Sequence, residues 1–209
     1  MSTLECHGEG HPAPPERDGE DMKSNPLLSL APWIVFTLAA GNGVAAQWSA
    51  ALAALVALAA AVPSIRAGRP KLLDAMGVVT FAVLSVLAFA GGHGVQAFVT
   101  DHGRTVATGA LAVLILVTLP FMPFTEQYAR EQAPRIVWDS PQFKRTNRLF
   151  SAVWGGVFAL MTLAHFVASQ APGNTALGVV CNWIVPILAV QRMFAFMKRY
   201  RARQALRSA

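Results

Sequence analysis

Residues 24–65 read SNPLLSLAPWIVFTLAAGNGVAAQWSAALAALVALAAAVPSI, 42 residues without one Asp, Glu, Lys or Arg. At ~1.5 Å per residue a single helix of that length would reach about 63 Å, twice the ~30 Å hydrocarbon thickness of a bilayer. Gly41-Asn42-Gly43 interrupts the run with turn-forming residues, so the stretch predicts a hairpin of two membrane spans. Three further uncharged blocks follow, Ala75–Thr100, Thr105–Thr125 and Leu149–Gln191, of 26, 21 and 43 residues. The last is broken at Pro172-Gly173-Asn174. A crossing helix needs about 20 residues, which gives two, one, one and two spans. The expected boundaries are Pro26–Asn42, Ala46–Pro63, Ala75–Gly91, Thr105–Phe121, Leu149–Ser169 and Ala176–Phe194. The expected fold is therefore all-α: a polytopic membrane protein with six transmembrane helices over residues 26–194.

Charge supplies the orientation. Of 17 Lys and Arg residues, two precede the first span, three lie in Ser64–Asp74, five in Met122–Arg148 and six from Arg192, in the last turn of the final span, onward. The two terminal hairpin turns, Gly41–Gln47 and Gln170–Thr175, have none, and Gly91–Arg104 has only Arg104. Basic residues collect on the cytoplasmic side, so both termini and the 122–148 loop are expected there, in the plasma membrane. Charge counting alone also admits re-entrant hairpins at either end. Full spans are expected because irregular backbone facing lipid leaves its polar groups unsatisfied. The charged fraction is 13%, against about 25% in soluble domains. The net charge of +6 flanks apolar blocks, which points to anionic lipid headgroups and not to nucleic acid.

Residues 1–25 carry Glu5, Glu9, Glu16, Asp18, Glu20 and Asp21 against Arg17 and Lys23, the reverse of a signal peptide's basic opening. They are expected to form a disordered acidic tail, and residues 195–209 a basic one. Cys6 and Cys181 lie too differently for a structural disulfide. Cys6-His7 with His11 is an incomplete metal pattern.

Candidate functional residues are few. No Asp, Glu, Lys or Arg falls deep within an expected span, which disfavours ion-coupled pumping. Asn42, Gln47 and Asn182 are the polar groups that would line a solute path. His93, His102 and His165 with Asp101 gather at the expected outer face, where imidazoles and a carboxylate are the chemistry of a metal site, or two imidazoles of a haem. No phosphate loop, catalytic triad or paired catalytic carboxylates appear, so the sequence predicts no catalytic residue and no resident cofactor. Pro186, beside Asn182 and Trp183, is expected to kink the last span. Small residues at four-residue spacing, Ala46, Ala50 and Ala54, and again Gly155 and Ala159, offer faces for close helix approach.

The 122–148 loop is divided by Pro123, Pro134 and Pro141. Between the first two, Glu126 with Arg130 and Glu131 with Arg135 fall at i,i+4, predicting a short interfacial helix. Ser140-Pro141 reads as an N-cap with proline at the first helical position. Asp74 suits the N-terminal turn of its helix. Lipid or partner contacts are expected from Trp138, Lys144, Arg145 and Arg148, and from Lys198, Arg199, Arg201 and Arg203.

Gly68-Arg69-Pro70-Lys71-Leu72-Leu73-Asp74 ahead of an apolar span, and Asn147 through Trp154-Gly155, resemble the small bacterial inner-membrane proteins grouped around intracellular septation protein A. The likeness covers Pro32–Ser169 and rests on length, span count and a basic loop before a span; the long 122–148 loop and acidic tail depart from it. It implies an envelope role without catalysis and transfers no residue. The expected function is thus a structural or interaction factor of the bacterial cell envelope, with a homo-oligomeric or envelope-protein partner. A small-solute channel or carrier is the first alternative, and a haem or metal redox protein the second.

Overall fold

The computed structural model describes residues 26–208. The acidic segment 1–25, with Cys6, His7 and His11, lies outside them. The described residues are mostly helical and contain no strand. In order they are α1 (Pro26–Ser29), α2 (Ala31–Gly41), α3 (Ala46–Arg66), α4 (Leu72–Ala90), α5 (His93–Thr118) and α6 (Phe124–Gln132). A 3-10 turn (Arg135–Val137) then leads to α7 (Pro141–Ser169). Last comes α8 (Thr175–Val179), which passes through a π-helical turn (Val180–Ile184) into α9 (Val185–Ser208).

Four helices are long and apolar enough to cross a membrane: α3, α4, α7 and the continuous run Thr175–Gln204. Their surfaces fit that reading. Leu55, Val86, Leu163 and Ile187 point outward, whereas the interior combines alanines and aromatic rings with aliphatic residues such as Leu73, Leu111 and Ile115. Water would penalise so much exposed apolar surface; lipid does not. The first expected span is represented by α2, only 11 residues and about 16 Å long, preceded by the single turn of α1. The fourth is part of α5, which also takes in most of the expected outer loop: only Gly91 and Gly92 separate it from α4. Helical order in His93–Arg104 follows from a stripe at four-residue spacing, Val99, Gly103, Ala107, Leu111 and Ile115, all buried. The basic segment expected as a tail over 195–209 is likewise helical to Ser208, as an extension of α9. Its Arg, Lys, Gln and Ala residues are good helix formers, and cations favour a helix C-terminus.

Close approach sets the packing. On α3 the buried stripe is Ala46, Ala50, Ala53, Ala57 and Ala61, and α4 lies along it; Ala54, expected in the ridge, sits beside the stripe. A Cβ built at Gly155 would come 2.7 Å from Leu116 Cδ2, which brings α5 against α7, while Ala159 faces outward. Trp33 and Phe36 of α2 each stand 5.3 Å from Phe81 of α4, and Trp33 Nε1 donates to the Ala107 carbonyl at 3.1 Å. That indole bond is buried, so it ties α2 to α5 in a dry environment.

At the end where the basic loops lie, hereafter the basic end, α6 forms as the i,i+4 pattern predicts. Arg130 Nη2 sits 2.6 Å from Glu126 Oε1. Ser140 caps α7 by accepting from Phe143 N at 3.2 Å, with Pro141 in its first turn. Glu131 and Arg135, expected as the second such pair, do not share one helix. Pro134 ends the helix between them, and Glu131 Oε1 meets the buried ammonium of Lys71 at 3.0 Å. Arg135 lies over the Trp138 ring. Three more bonds seat α6: Tyr128 Oη donates to Ser29 Oγ (2.9 Å), Leu72 N to Gln127 Oε1 (3.1 Å) and Thr125 Oγ1 to the Asn147 carbonyl (2.8 Å). Asp74 does more than complement its helix N-terminus: it is buried and accepts from Ser64 Oγ at 2.8 Å, joining α3 to α4.

Candidate functional site

Arg104 occupies the bundle's middle. Gly103 beside it faces Phe36, whose ring contacts Phe81, the central residue of α4. From His93, at the far end of α5, to Arg104 is eleven residues, about 16 Å of helix rise. A guanidinium partly withdrawn from water loses hydration, which is costly. Part of that is offset by α2, which ends against the guanidinium: Arg104 Nη2 donates to the Thr37 carbonyl at 3.4 Å, at the negative pole of the helix dipole.

That contact uses one of five guanidinium N–H groups. Nε is buried without a partner, and so is the hydroxyl of neighbouring Thr105. Across from them on α7, His165 is only 3% exposed and neither ring nitrogen has a partner, while the Arg104 charge lies within electrostatic reach of its imidazole. Thr108, one turn along α5, hydrogen-bonds the Arg104 carbonyl at 2.8 Å, and the Thr162 hydroxyl lies 3.1 Å from it. Among the described residues no carboxylate forms an ion pair with Arg104. The cluster is therefore rich in donors and poor in negative charge, the chemistry that favours an anion.

The π-helical turn completes one wall. Pro186 has no N–H to give the Asn182 carbonyl, and its ring crowds that carbonyl, so the turn preceding it widens into a π turn at the place where a kink was expected from the proline. Trp183 thereby reaches α2, so that a Cβ on Gly41 would lie 2.7 Å from the indole and 3.1 Å from Arg104 Nη2. Cys181 packs apart, with Ala164 and Ala168.

The residues expected to line a solute path are placed as follows. Asn42, next to Gly41, caps α2 by donating to the Leu38 carbonyl at 2.8 Å, and Asn182 adjoins Trp183. Gln47, on the first turn of α3, joins neither. The expected external metal set is not gathered: among the described residues no three of His, Cys, Asp and Glu cluster. His93 starts α5 about 16 Å from the level of Arg104 and His165, so one iron cannot take both imidazoles. His102 stacks on Phe98 at 4.9 Å, and Asp101 is exposed. The expected lipid-contact residues do collect at the basic end. Trp138 is held by Ala133 O (2.9 Å) beneath Arg130 and Arg135, and Lys144 pairs with Asp139 at 2.9 Å. Arg201 lies over Phe150, and Lys198, Arg199 and Arg203 are exposed along α9.

Thr108 and Thr162 escaped the sequence reading, and Thr105, Gly41 and Trp183 entered it only as a span boundary, a turn former and a neighbour of Pro186. The buried stripe running past Arg104 was the signal that would have found them, because it places a helix where charge suggests a loop. No family model, curated protein or solved structure matches the chain.

Proposed function

We propose that this chain is a six-span plasma-membrane protein with cytoplasmic termini, and that it carries or conducts a small anion past the Arg104–His165 cluster. The observation that carries this reading is a half-buried arginine without a carboxylate ion pair among the described residues, its Nε buried and unpartnered, near the buried and unpartnered imidazole of His165. The cation that stabilises the end of α2 keeps donors to spare, and an anion arriving there restores neutrality at low dielectric cost. The asymmetry of Lys and Arg supports the orientation, with the basic end cytoplasmic. Proteoliposomes loaded with chloride, nitrate or acetate test it. The wild type should pass at least one of these above protein-free vesicles, and Arg104→Gln should lower that flux about tenfold or more. Absence of flux for all such anions would sink the proposal.

A second reading, an interaction factor of the cell envelope, draws on Ile136 (89% exposed) and Phe121 (85% exposed), which stand out at the basic end. It is also the role implied by the resemblance to the septation-protein group. Cross-linking in cells should capture an envelope protein or a second copy that is lost with Ile136→Ser; an unchanged set of cross-links counts against it.

A further inference from the structure

We propose that a groove at the basic end, between α5, α7 and α9, holds one anionic phospholipid. The groove has a volume of about 560 Å³, and its wall includes Leu119 after α5, Arg145, Arg148, Leu149 and Ala152 of α7, and Tyr200 of α9. Its chemistry is divided. Two exposed guanidiniums stand at one rim and apolar side chains line the rest, which matches a phosphodiester joined to an acyl chain. Leu149 opens the uncharged block that runs to Gln191, so the rim stands where polar sequence gives way to apolar, at headgroup depth.

Charge balance selects a negative headgroup. The carboxylates described at this end are already engaged: Asp74 with Ser64, Glu126 with Arg130, Glu131 with Lys71, and Asp139 with Lys144. Asp101 lies toward the opposite end, on the first turns of α5. Arg148 Nη2 donates to the Pro120 carbonyl at 3.5 Å, which leaves most of its donor fork available, and Arg201 lies close by over Phe150. Arg145 and Arg148 fall three apart on α7, on neighbouring positions of one helix face, so both can reach one phosphate. Phe150 and Phe196 flank Tyr200 with ring centroids 5.6 and 6.1 Å away, holding that wall in place.

The test is native mass spectrometry of the full chain released from bilayers of equal phosphatidylcholine and phosphatidylglycerol. One phosphatidylglycerol should remain bound in preference to phosphatidylcholine. Arg145→Gln with Arg148→Gln should lower its occupancy about tenfold, and so should Ala152→Phe, which fills the apolar part without altering charge. Lys198→Gln with Arg203→Gln, on the same face of the protein but outside the groove, should leave occupancy within about twofold. Equal retention of both lipids by the wild type overturns the proposal. So does an equal loss in the Lys198/Arg203 variant, which means diffuse attraction to the whole basic surface. An Ala152→Phe protein that retains its lipid also overturns it, because the acyl chain then lies elsewhere.

Discussion

Glycine positions separate contact from open space at the scale of single residues. A Cβ on Gly103 would sit 2.9 Å from Phe36 Cζ in a buried contact, whereas a Cβ on Gly156 meets nothing within 4 Å. Gly103→Val should therefore cost about 1–3 kcal/mol through overpacking. Gly156→Ala should gain up to about 1 kcal/mol from helix propensity. Reversible unfolding in denaturing detergent reads both, and equal effects would contradict the packing of α2 on α5. Gly103 also positions its neighbour, since displacement of α5 from Phe36 moves Arg104 from the end of α2. Arg104 was visible in the sequence as the lone cation of its segment, but its depth was not. Asp101 and Arg104 lie three residues apart, so the stretch looks polar when read linearly, although Val99, Gly103 and Ala107 give it a buried face.

Among the elements, α6 joins the two parts of the bundle, α1 through α4 on one side and α7 on the other, mainly through polar contacts. Tyr128 is its buried centre, with the Lys71 ammonium 4.7 Å from the ring and Ser29 on the hydroxyl. Burial raises the phenol above its ordinary value of 10.0, with the Asp74 and Glu131 charges adding to the rise and the Ser29 hydrogen bond opposing it. The folded state thus prefers the neutral phenol. The stability it contributes is fully present below about pH 10 and is lost as pH climbs through the raised folded value. A difference titration of tyrosinate absorbance, wild type minus Tyr128→Phe, should place this group's ionisation above pH 10, coincident with release of α6. An ionisation at or below 10 would remove the argument. The helix itself was legible from Glu126 and Arg130. Its seat was not, because Lys71 lies 60 residues away and the pattern offered Arg135 as an equal partner for Glu131.

On the scale of the whole molecule, consecutive helices pack side by side across short connections: α2 on α3, α3 on α4, α4 on α5, and α7 on the α8–α9 run. Combined with the segregated charge, this arrangement predicts that reporters fused at Asp101 and Trp138 give opposite signals; matching signals would overturn the proposed orientation. Composition and block length alone determined that the described residues are mostly helical and that several of their helices are long and apolar enough to cross a bilayer. Those are local properties, since a backbone in hydrocarbon must satisfy its own hydrogen bonds and about 20 apolar residues suffice to cross. Tertiary structure decided the rest: where α5 begins, how deep Arg104 lies, and that His165 and Trp183 face it. These depend on small residues meeting large ones across helices distant in sequence, Gly103 on Phe36, Gly155 on Leu116 and Gly41 on Trp183. Interhelical contact of that kind rests on shape between faces, and a linear pattern of charge and hydropathy carries no record of which faces meet.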